Sequence, residues 1–220
     1  IGRAAATVLA KKSNHKAKIL IGKDTRISSD VLEAALAAGV ASVGADAISL
    51  GVIPTPAVAY LVKKEKADAG VMISASHNSM EFNGIKLFSS TGYKLSDDIE
   101  EEIERLILDN PEEIKLSSHG DIGRISVLEG ARDEYIDYIA SCIKTSFAGK
   151  KIALDCANGS SSATAKKLFE KLGAEVIVLS NTPDGTNINK NCGSTHMQEL
   201  LEFVPANKCD CGFAFDGDAD

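Results

Sequence analysis

Short apolar segments rich in β-branched residues alternate with helical segments along this chain of 220 residues. Residues 18–22, 46–52 and 151–156 are clear examples of the apolar segments. Each is followed by a turn-rich stretch and then by apolar residues at helical spacing. Strands that alternate with helices assemble into parallel or mixed sheets, because each helix returns the chain to the same end of the sheet. The alternation therefore predicts an α/β fold.

The predicted elements fall into two consecutive α/β units, and we expect each unit to contain a mixed β-sheet between helices. Residues 146–150 interrupt the pattern. We therefore predict a first unit at residues 1–148 and a second at 149–220. Further strands are predicted at 69–74, 84–88, 174–179 and 211–215, and helices at 1–10, 31–44, 57–66, 97–108, 131–145, 161–172 and 197–204, with Asp30 as the N-cap of the helix at 31–44.

Both ends of the chain are unusual. Ile1 is not an initiator methionine, and residues 1–10 are typical of the interior of an amphipathic helix with no cap before it. The chain stops at Asp220, inside an aspartate-rich turn. These features predict a piece of a longer protein whose second unit is incomplete.

The charge balance limits the classes of partner. The chain carries 24 Lys and Arg against 31 Asp and Glu, for a net charge of −7. Nucleic-acid binding needs basic patches, so we expect no nucleic-acid partner. A small phosphorylated ligand is not excluded, because a few local cations and backbone N–H groups suffice to bind it.

The uncharged runs and the cysteines indicate where in the cell the protein is located. The longest uncharged runs, at residues 34–45 and 47–62, are too short or contain proline, so no membrane span is predicted. No basic stretch followed by a long apolar run marks a secretory signal. The five cysteines are odd in number and scattered, as reduced intracellular thiols are. We therefore expect a cytoplasmic location.

Three carboxylates at alternate positions, Asp216, Asp218 and Asp220, follow the predicted strand at 211–215. Gly217 permits a tight turn, so the three side chains can converge on one cation. Oxygen-only ligands favour Mg²⁺ over zinc or copper, which predicts a magnesium site. A solvated acidic turn and part of a calcium loop remain the alternative interpretations.

Two earlier loops also follow predicted strands, where α/β sheets place their ligands. One contains Ser76 beside His77, with Lys86 further along, and the other contains Arg26. A serine in such a turn can carry a phosphoryl group, and Arg26 can clamp a phosphate through two hydrogen bonds. Taken singly, each residue is better explained by a loop contact, a solvated lysine or a surface ion pair. Together with a metal held by three carboxylates, they predict a phosphoryl-transfer site.

Two other protein classes are disfavoured by the motifs that the sequence lacks. Ser76 does not lie in a G-x-S-x-G elbow, which argues against an acyl-transfer triad. No predicted strand is followed by G-x-G-x-x-G, which argues against a dinucleotide-binding protein.

The motifs ISASHN (73–78), NGIK (83–86) and DGDAD (216–220), in this order and spacing, resemble the α-D-phosphohexomutase superfamily. Within it, the resemblance is greatest to the bacterial phosphoglucosamine mutase branch. The supporting stretches are VIPTPAVAY (52–60), YKLS (93–96), LDCANG (154–159), NIN (187–189) and GSTH (193–196). The resemblance implies a reversible mutase that interconverts glucosamine 6-phosphate and glucosamine 1-phosphate, with a hexosamine phosphate as its substrate.

The resemblance also implies a role for the candidate residues. Ser76 would be phosphorylated in the active enzyme and would pass its phosphoryl group to the sugar, through a 1,6-bisphosphate intermediate. Lys86 would act as acid and base, and Arg26 would belong to the first phosphate-site loop. The implied catalytic residues are Ser76, Lys86, His77 and Arg26, and the implied ligands of Mg²⁺ are Ser76, Asp216, Asp218 and Asp220.

The chain departs from the family pattern at Ser79, where proline is usual, and at Ser29, where glycine is usual. The family has four domains, and the resemblance covers most of the first two. The loops that recognise the sugar and clamp its second phosphate belong to the other two. We therefore expect the 220-residue chain alone to have no appreciable mutase activity. Phosphoglucomutase or phosphomannomutase activity and a non-catalytic scaffold remain alternatives, and a homodimer is a possible assembly.

Overall fold

The computed structural model describes residues 1–10 and 15–220. Its strands are β1 (Lys18–Lys23), β2 (Asp46–Val52), β3 (Ala69–Ile73), β4 (Ile85–Ser89), β5 (Ile125–Val127), β6 (Lys151–Asp155), β7 (Glu175–Leu179) and β8 (Cys211–Ala214). Its α-helices are α1 (Gly2–Ala10), α2 (Ile27–Ser42), α3 (Thr55–Lys64), α4 (Asp97–Leu108), α5 (Ala131–Cys142), α6 (Ala165–Lys171) and α7 (Gln198–Ala206). Short 3₁₀ helices cover Pro111–Glu113, His119–Asp121 and Ser160–Ala163.

The first sheet has five strands in the order β4-β3-β1-β2-β5. Strands β3, β1, β2 and β5 run parallel, and β4 pairs antiparallel with β3, so this sheet is mixed as predicted. Side chains of β1 alternate between its two faces. Ile19 and Ile21 pack with Leu36 of α2, whereas Leu20 packs with Leu61 of α3 on the opposite face. Helices therefore cover both faces of the sheet, which confirms the α/β fold.

The second sheet has three strands in the order β7-β6-β8, and both pairs are parallel. Helix α6 connects β6 to β7, and α7 lies between β7 and β8 in the chain. Each connection crosses back over the sheet, which makes neighbouring strands parallel. The predicted mixed sheet is therefore confirmed for the first unit, while the described strands of the second form a parallel sheet.

Two local predictions differ from the structure, and one strand was not predicted. Helix α2 begins at Ile27, so Asp30 lies in its first turn and the prediction that it is the N-cap is wrong. The N–H of Ile27 donates instead to the carbonyl of Gly185 at 2.9 Å, so a distant loop caps the helix. The predicted helix at 161–172 divides into the 3₁₀ helix Ser160–Ala163 and α6. Strand β5 was not predicted, because Ile125–Val127 is short and exposed.

The two sheets face each other through loops at the carboxyl ends of their strands. Thr25 Oγ1 donates to the carbonyl of Asn158 at 2.5 Å, and the N–H of Thr55 donates to the carbonyl of Asp218 at 3.1 Å. The carboxyl edges of the two sheets, where α/β sheets bind ligands, therefore lie next to each other.

The boundary at residue 148 stays a prediction. Within the described residues, no helix combines the length and the apolar character needed to cross a bilayer.

Candidate functional site

The aspartate loop, residues 216–220, follows β8 and is shaped by its own first side chain. Asp216 Oδ1 accepts the N–H groups of Asp218 at 3.1 Å and Asp220 at 3.0 Å. The N–H of Asp216 in turn donates to the carbonyl of Asp220 at 3.0 Å. A carboxylate that binds backbone N–H groups two and four residues ahead folds the chain into a tight turn. The turn brings the alternate carboxylates to one side.

Asp218 is completely buried, and its two carboxylate oxygens have different surroundings. Oδ2 accepts hydrogen bonds from Lys86 Nζ and Thr55 Oγ1. Oδ1 is buried and has no hydrogen-bond partner in the described part of the chain. Burial alone would raise the pKa of Asp218, but the hydrogen bonds from Lys86 and Thr55 and the charge of Lys86 outweigh burial and lower this pKa. Asp218 is therefore an anion with one unsatisfied oxygen.

The three aspartates offer carboxylate oxygens that all lie within 4.8 Å of one another. Partial burial, and then the negative charges of Asp218 and Asp216, raise the pKa of Asp220. An unpartnered buried oxygen beside two further carboxylates is unfavourable unless a cation binds it. The donor set consists of oxygens only, which suits a hard divalent cation such as Mg²⁺.

The serine loop, residues 74–78, follows β3, whose five residues are all buried. Ser76 adopts a left-handed backbone conformation with φ of +54°, which costs a residue with a side chain roughly 1–3 kcal/mol. Its N–H donates to Ser74 Oγ at 3.0 Å. Its hydroxyl donates to Asp216 Oδ2 at 2.5 Å, across 140 residues of sequence. The structure thus joins the predicted phosphoryl carrier to the predicted metal loop.

Lys86 reaches the same place because of strand pairing. It lies on β4 opposite Met72 of β3, and β4 runs antiparallel to β3, so the start of β4 lies beside the end of β3. Its side chain is 37% exposed and forms an ion pair with Asp218. Lys86 is therefore a cation at the border between the buried carboxylates and solvent.

Arg26 and His77 lie differently from the other predicted residues. Arg26 is 2% exposed, and its Nε donates to Asp24 Oδ2 at 2.8 Å. Its two Nη nitrogens donate to the backbone carbonyls of residues 76, 78 and 79. This buried guanidinium supports the serine loop from below, which argues against the predicted phosphate clamp. His77 is exposed and takes part in none of the hydrogen bonds that join the described cluster.

Sequence reasoning did not single out three residues that the structure places here. Thr55 begins α3 and binds Asp218 through both its N–H and its hydroxyl. Asn189 donates to the carbonyls of the serine loop, and the buried Asp24 accepts Ser74 Oγ at 2.7 Å beneath it. Thr55 and Asn189 lie in stretches quoted for the family resemblance, which was the one available signal, since their residue types indicate no particular chemistry.

Two family models cover most of the chain. Phosphoglucomutase/phosphomannomutase, alpha/beta/alpha domain I, matches residues 1–113, and domain II matches residues 133–220. Phosphoglucosamine mutases of Clostridium beijerinckii and Clostridium acetobutylicum are 58% and 56% identical to it over 220 residues. These alignments cover 100% of this chain and 49% of each relative. The chain therefore spans about half the length of the curated relatives it matches.

A solved structure has the same arrangement of elements. The phosphoglucomutase/phosphomannomutase family protein of Burkholderia thailandensis aligns with a TM-score of 0.83 at 26% identity. The alignment covers 99% of this chain and 47% of that protein. Sequence models, relatives and fold agree, and the chain belongs to the phosphoglucomutase/phosphomannomutase family.

Proposed function

We propose that the full-length protein interconverts glucosamine 6-phosphate and glucosamine 1-phosphate, with Ser76 as the phosphoryl carrier. The observation that carries this proposal is the contact between Ser76 Oγ and Asp216 Oδ2, which unites a serine of one sheet with the carboxylates of the other. Family membership supports a sugar-phosphate mutase. The relatives at 56–58% identity are phosphoglucosamine mutases, which favours glucosamine phosphates as substrates.

In the proposed reaction, a sugar hydroxyl attacks the phosphorus carried by Ser76 Oγ. The bond from phosphorus to the sugar oxygen forms and the bond to Ser76 Oγ breaks. The Lys86 ammonium gives a proton to the leaving Ser76 Oγ and then takes up the proton of the sugar hydroxyl. The resulting 1,6-bisphosphate reorients in the site, so that its other phosphate faces Ser76. Ser76 Oγ then attacks the other phosphorus, and the bond from that phosphorus to the sugar oxygen breaks. The serine proton passes to Asp216, to which the hydroxyl already donates, and the Lys86 ammonium protonates the leaving sugar oxygen. Proton exchange between Asp216 and Lys86 then restores both groups.

The aspartates would hold Mg²⁺, together with an oxygen on Ser76. The unpartnered Oδ1 of Asp218 and the oxygen-only donor set support this assignment. A bound Mg²⁺ supplies electrostatic stabilisation of the charge on the transferring phosphoryl group. Lys86 and Thr55 hold the other carboxylate oxygen of Asp218, Oδ2, and Asp216 orients the serine hydroxyl.

Mass spectrometry of the full-length protein tests the phosphoryl carrier. The protein is incubated with glucosamine 1,6-bisphosphate and Mg²⁺, and the phosphate is localised in the peptide of residues 67–86. We expect phosphate on Ser76 that disappears when glucosamine 6-phosphate is added. The S76A variant should take up none, whereas S90A, which replaces an exposed serine away from the site, should behave as the unaltered protein. An unmodified Ser76 in folded, magnesium-treated protein would contradict the proposal and favour a non-catalytic scaffold.

Turnover with different sugars separates the proposal from its closest alternative. We expect kcat/KM to be higher with glucosamine phosphates than with glucose or mannose phosphates. The reverse order would identify a phosphoglucomutase or phosphomannomutase. The 220-residue chain alone should show no appreciable turnover with any of them. A cytoplasmic location and a homodimer remain part of the proposal, and sedimentation of the full-length protein tests the homodimer.

A further inference from the structure

The carbonyl groups of Ser76 and Asn78 are held by two side chains that come from different sheets. Arg26 Nη2, from the first unit, donates to the carbonyl of Ser76 at 3.2 Å and to that of Asn78 at 2.8 Å. Asn189 Nδ2, from the second unit, donates to the same two carbonyls at 2.8 Å and 2.9 Å. Each carbonyl therefore accepts hydrogen bonds from both side chains, and the serine loop is held between Arg26 and Asn189.

These bonds use the full donor capacity of both nitrogens. A primary amide nitrogen and an Arg Nη nitrogen each carry two N–H groups, and each N–H is directed at one of the two carbonyls. Asn189 is 7% exposed. It therefore has no amide donor left for a ligand, which argues against a direct contact with substrate.

Asn189 is itself fixed to the second sheet. Its backbone has φ of +57°, and its N–H donates to the carbonyl of Ala157 at 2.9 Å, directly after β6. The buried Asp155, at the end of β6, accepts the N–H groups of Ala157 at 2.9 Å and Gly193 at 2.7 Å, which ties the segment that carries Asn189 to the end of β6. The amide of Asn189 thus links the serine loop to a fixed point on the second sheet.

We propose that Asn189 is a positioning residue for phosphoryl transfer, which holds Ser76 in its left-handed conformation with Oγ directed at the aspartate loop. This inference rests on the proposed function. The conformation of Ser76 is intrinsically unfavourable, so external contacts must maintain it. Arg26 holds the backbone of the loop to its own sheet, whereas Asn189 ties that backbone to the sheet that carries the aspartates, in addition to the bond from the Ser76 hydroxyl to Asp216. Without the amide, the serine loop is free to shift relative to the aspartate loop. The reacting oxygen, Ser76 Oγ, then moves away from the aspartate loop.

The loop offers a closely matched control. Asn191 has nearly the same backbone conformation, with φ of +56°, but its side chain is exposed. In full-length N189D, a carboxylate oxygen replaces the nitrogen and faces two carbonyl oxygens, whereas N191D introduces the same charge two residues away. N189G and N191G form a second pair, in which glycine keeps the positive φ without a side chain.

The first measurement is hydrogen exchange of the Ser76 and Asn78 amides, without substrate. We expect both amides to exchange at least about tenfold faster in N189D and N189G than in the matching Asn191 variants. The second is steady-state turnover, in which kcat should fall roughly 10- to 100-fold at nearly unchanged KM, because misplacement of the reacting oxygen affects chemistry more than binding. The Asn191 variants should keep both parameters.

The two measurements separate the possible failures. Equal exchange in the Asn189 and Asn191 variants would overturn the inference whatever the activity. Faster exchange with unchanged kcat would also overturn it, since the loop would then be free to move without effect on the reaction. Faster exchange in a protein whose Ser76 never accepts phosphate would leave the hold on the loop supported and would overturn the proposed function instead.

Discussion

The serine loop and the aspartate loop both follow the carboxyl end of a strand, but they are held in different ways. The aspartate loop is folded by its own first residue, since Asp216 accepts the N–H groups of residues within four positions of it. The serine loop is held from outside, by Asp24 and Arg26 beneath it and by Asn189 from the second sheet. The backbone turn of the aspartate loop is closed by bonds within it, although Thr55 and Lys86 also bind Asp218, whereas the serine loop depends mainly on bonds from outside it.

This difference matches the tasks that we propose for the two loops. A metal site needs converging carboxylates, and a short turn closed by the side chain of Asp216 brings them to one side. A phosphoryl carrier must face the metal loop in a fixed direction, and the unfavourable φ of Ser76 means that the chain does not adopt this direction unaided. Substitutions beneath the serine loop should therefore affect stability more than substitutions within the aspartate loop.

The largest expected effect is that of D24N. The carboxylate of Asp24 is buried and accepts Arg26 Nε at 2.8 Å, Ser29 Oγ at 3.0 Å and Ser74 Oγ at 2.7 Å. Its neutralisation leaves the buried charge of Arg26 without a partner, and we expect the free energy of unfolding to fall by roughly 3–5 kcal/mol. Urea denaturation measures the change.

D30N is the control for D24N, because Asp30 forms an ion pair with Lys23 but is 75% exposed. Its effect should be within about 1 kcal/mol, as for other surface pairs. If D24N and D30N destabilise the protein equally, the serine loop does not depend on the buried carboxylate.

G217A should disturb the contact between the two loops. A Cβ atom at Gly217 would lie 2.6 Å from the carbonyl oxygen of Ser76 and 2.9 Å from Asn189 Nδ2. The loops must separate to admit it, so we expect a loss of roughly 1–3 kcal/mol in stability and a strong decrease in phosphate uptake by Ser76. G120A adds the same methyl group where nothing lies within 4 Å, and it should change neither quantity. Normal phosphate uptake by G217A would show that the loops need not touch.

The aspartate loop itself should respond mainly through metal binding. D218N removes the charge that pairs with Lys86, and because Lys86 is 37% exposed we expect a loss of only about 1–2 kcal/mol without metal. The rise in melting temperature that Mg²⁺ causes should disappear in D218N and be reduced in D220N, since Asp220 is exposed. An undiminished magnesium effect in D218N would exclude Asp218 as a ligand.

The smallest effect concerns the strand that leads to the aspartate loop. The hydrogen bond from Lys150, and then that from the N–H of Lys151, hold the pKa of Asp210 below its ordinary value of 3.8. A lowered pKa in the folded state stabilises the protein above the ordinary pKa, and this contribution disappears as the pH falls through the lowered pKa. The stability difference between the unaltered protein and D210N should therefore be largest near neutral pH and vanish in acid. A difference that does not depend on pH would contradict this assignment.

Most of the elements could be predicted from local patterns. Short apolar runs predict the strands around residues 18–22 and 151–156, and both occur at nearly the predicted bounds. The start of α2 could not be predicted, because its first N–H binds Gly185, which lies 158 positions after Ile27. Strand β5 escaped prediction because its exposed residues show no periodic burial.

By itself, the sequence determined the α/β class, the order of the loops and the chemical groups that each loop supplies. It also determined the aspartate turn, because the contacts that fold that turn lie within five consecutive residues. Tertiary structure alone decided that Ser76 meets Asp216, that Arg26 supports a loop and does not face open solvent, and that Asn189 reaches Ser76 across 113 residues. The physical reason is the sequence separation of the contacts. Local patterns depend on residues that are close in sequence, whereas these hydrogen bonds form only where the carboxyl edges of the two sheets meet.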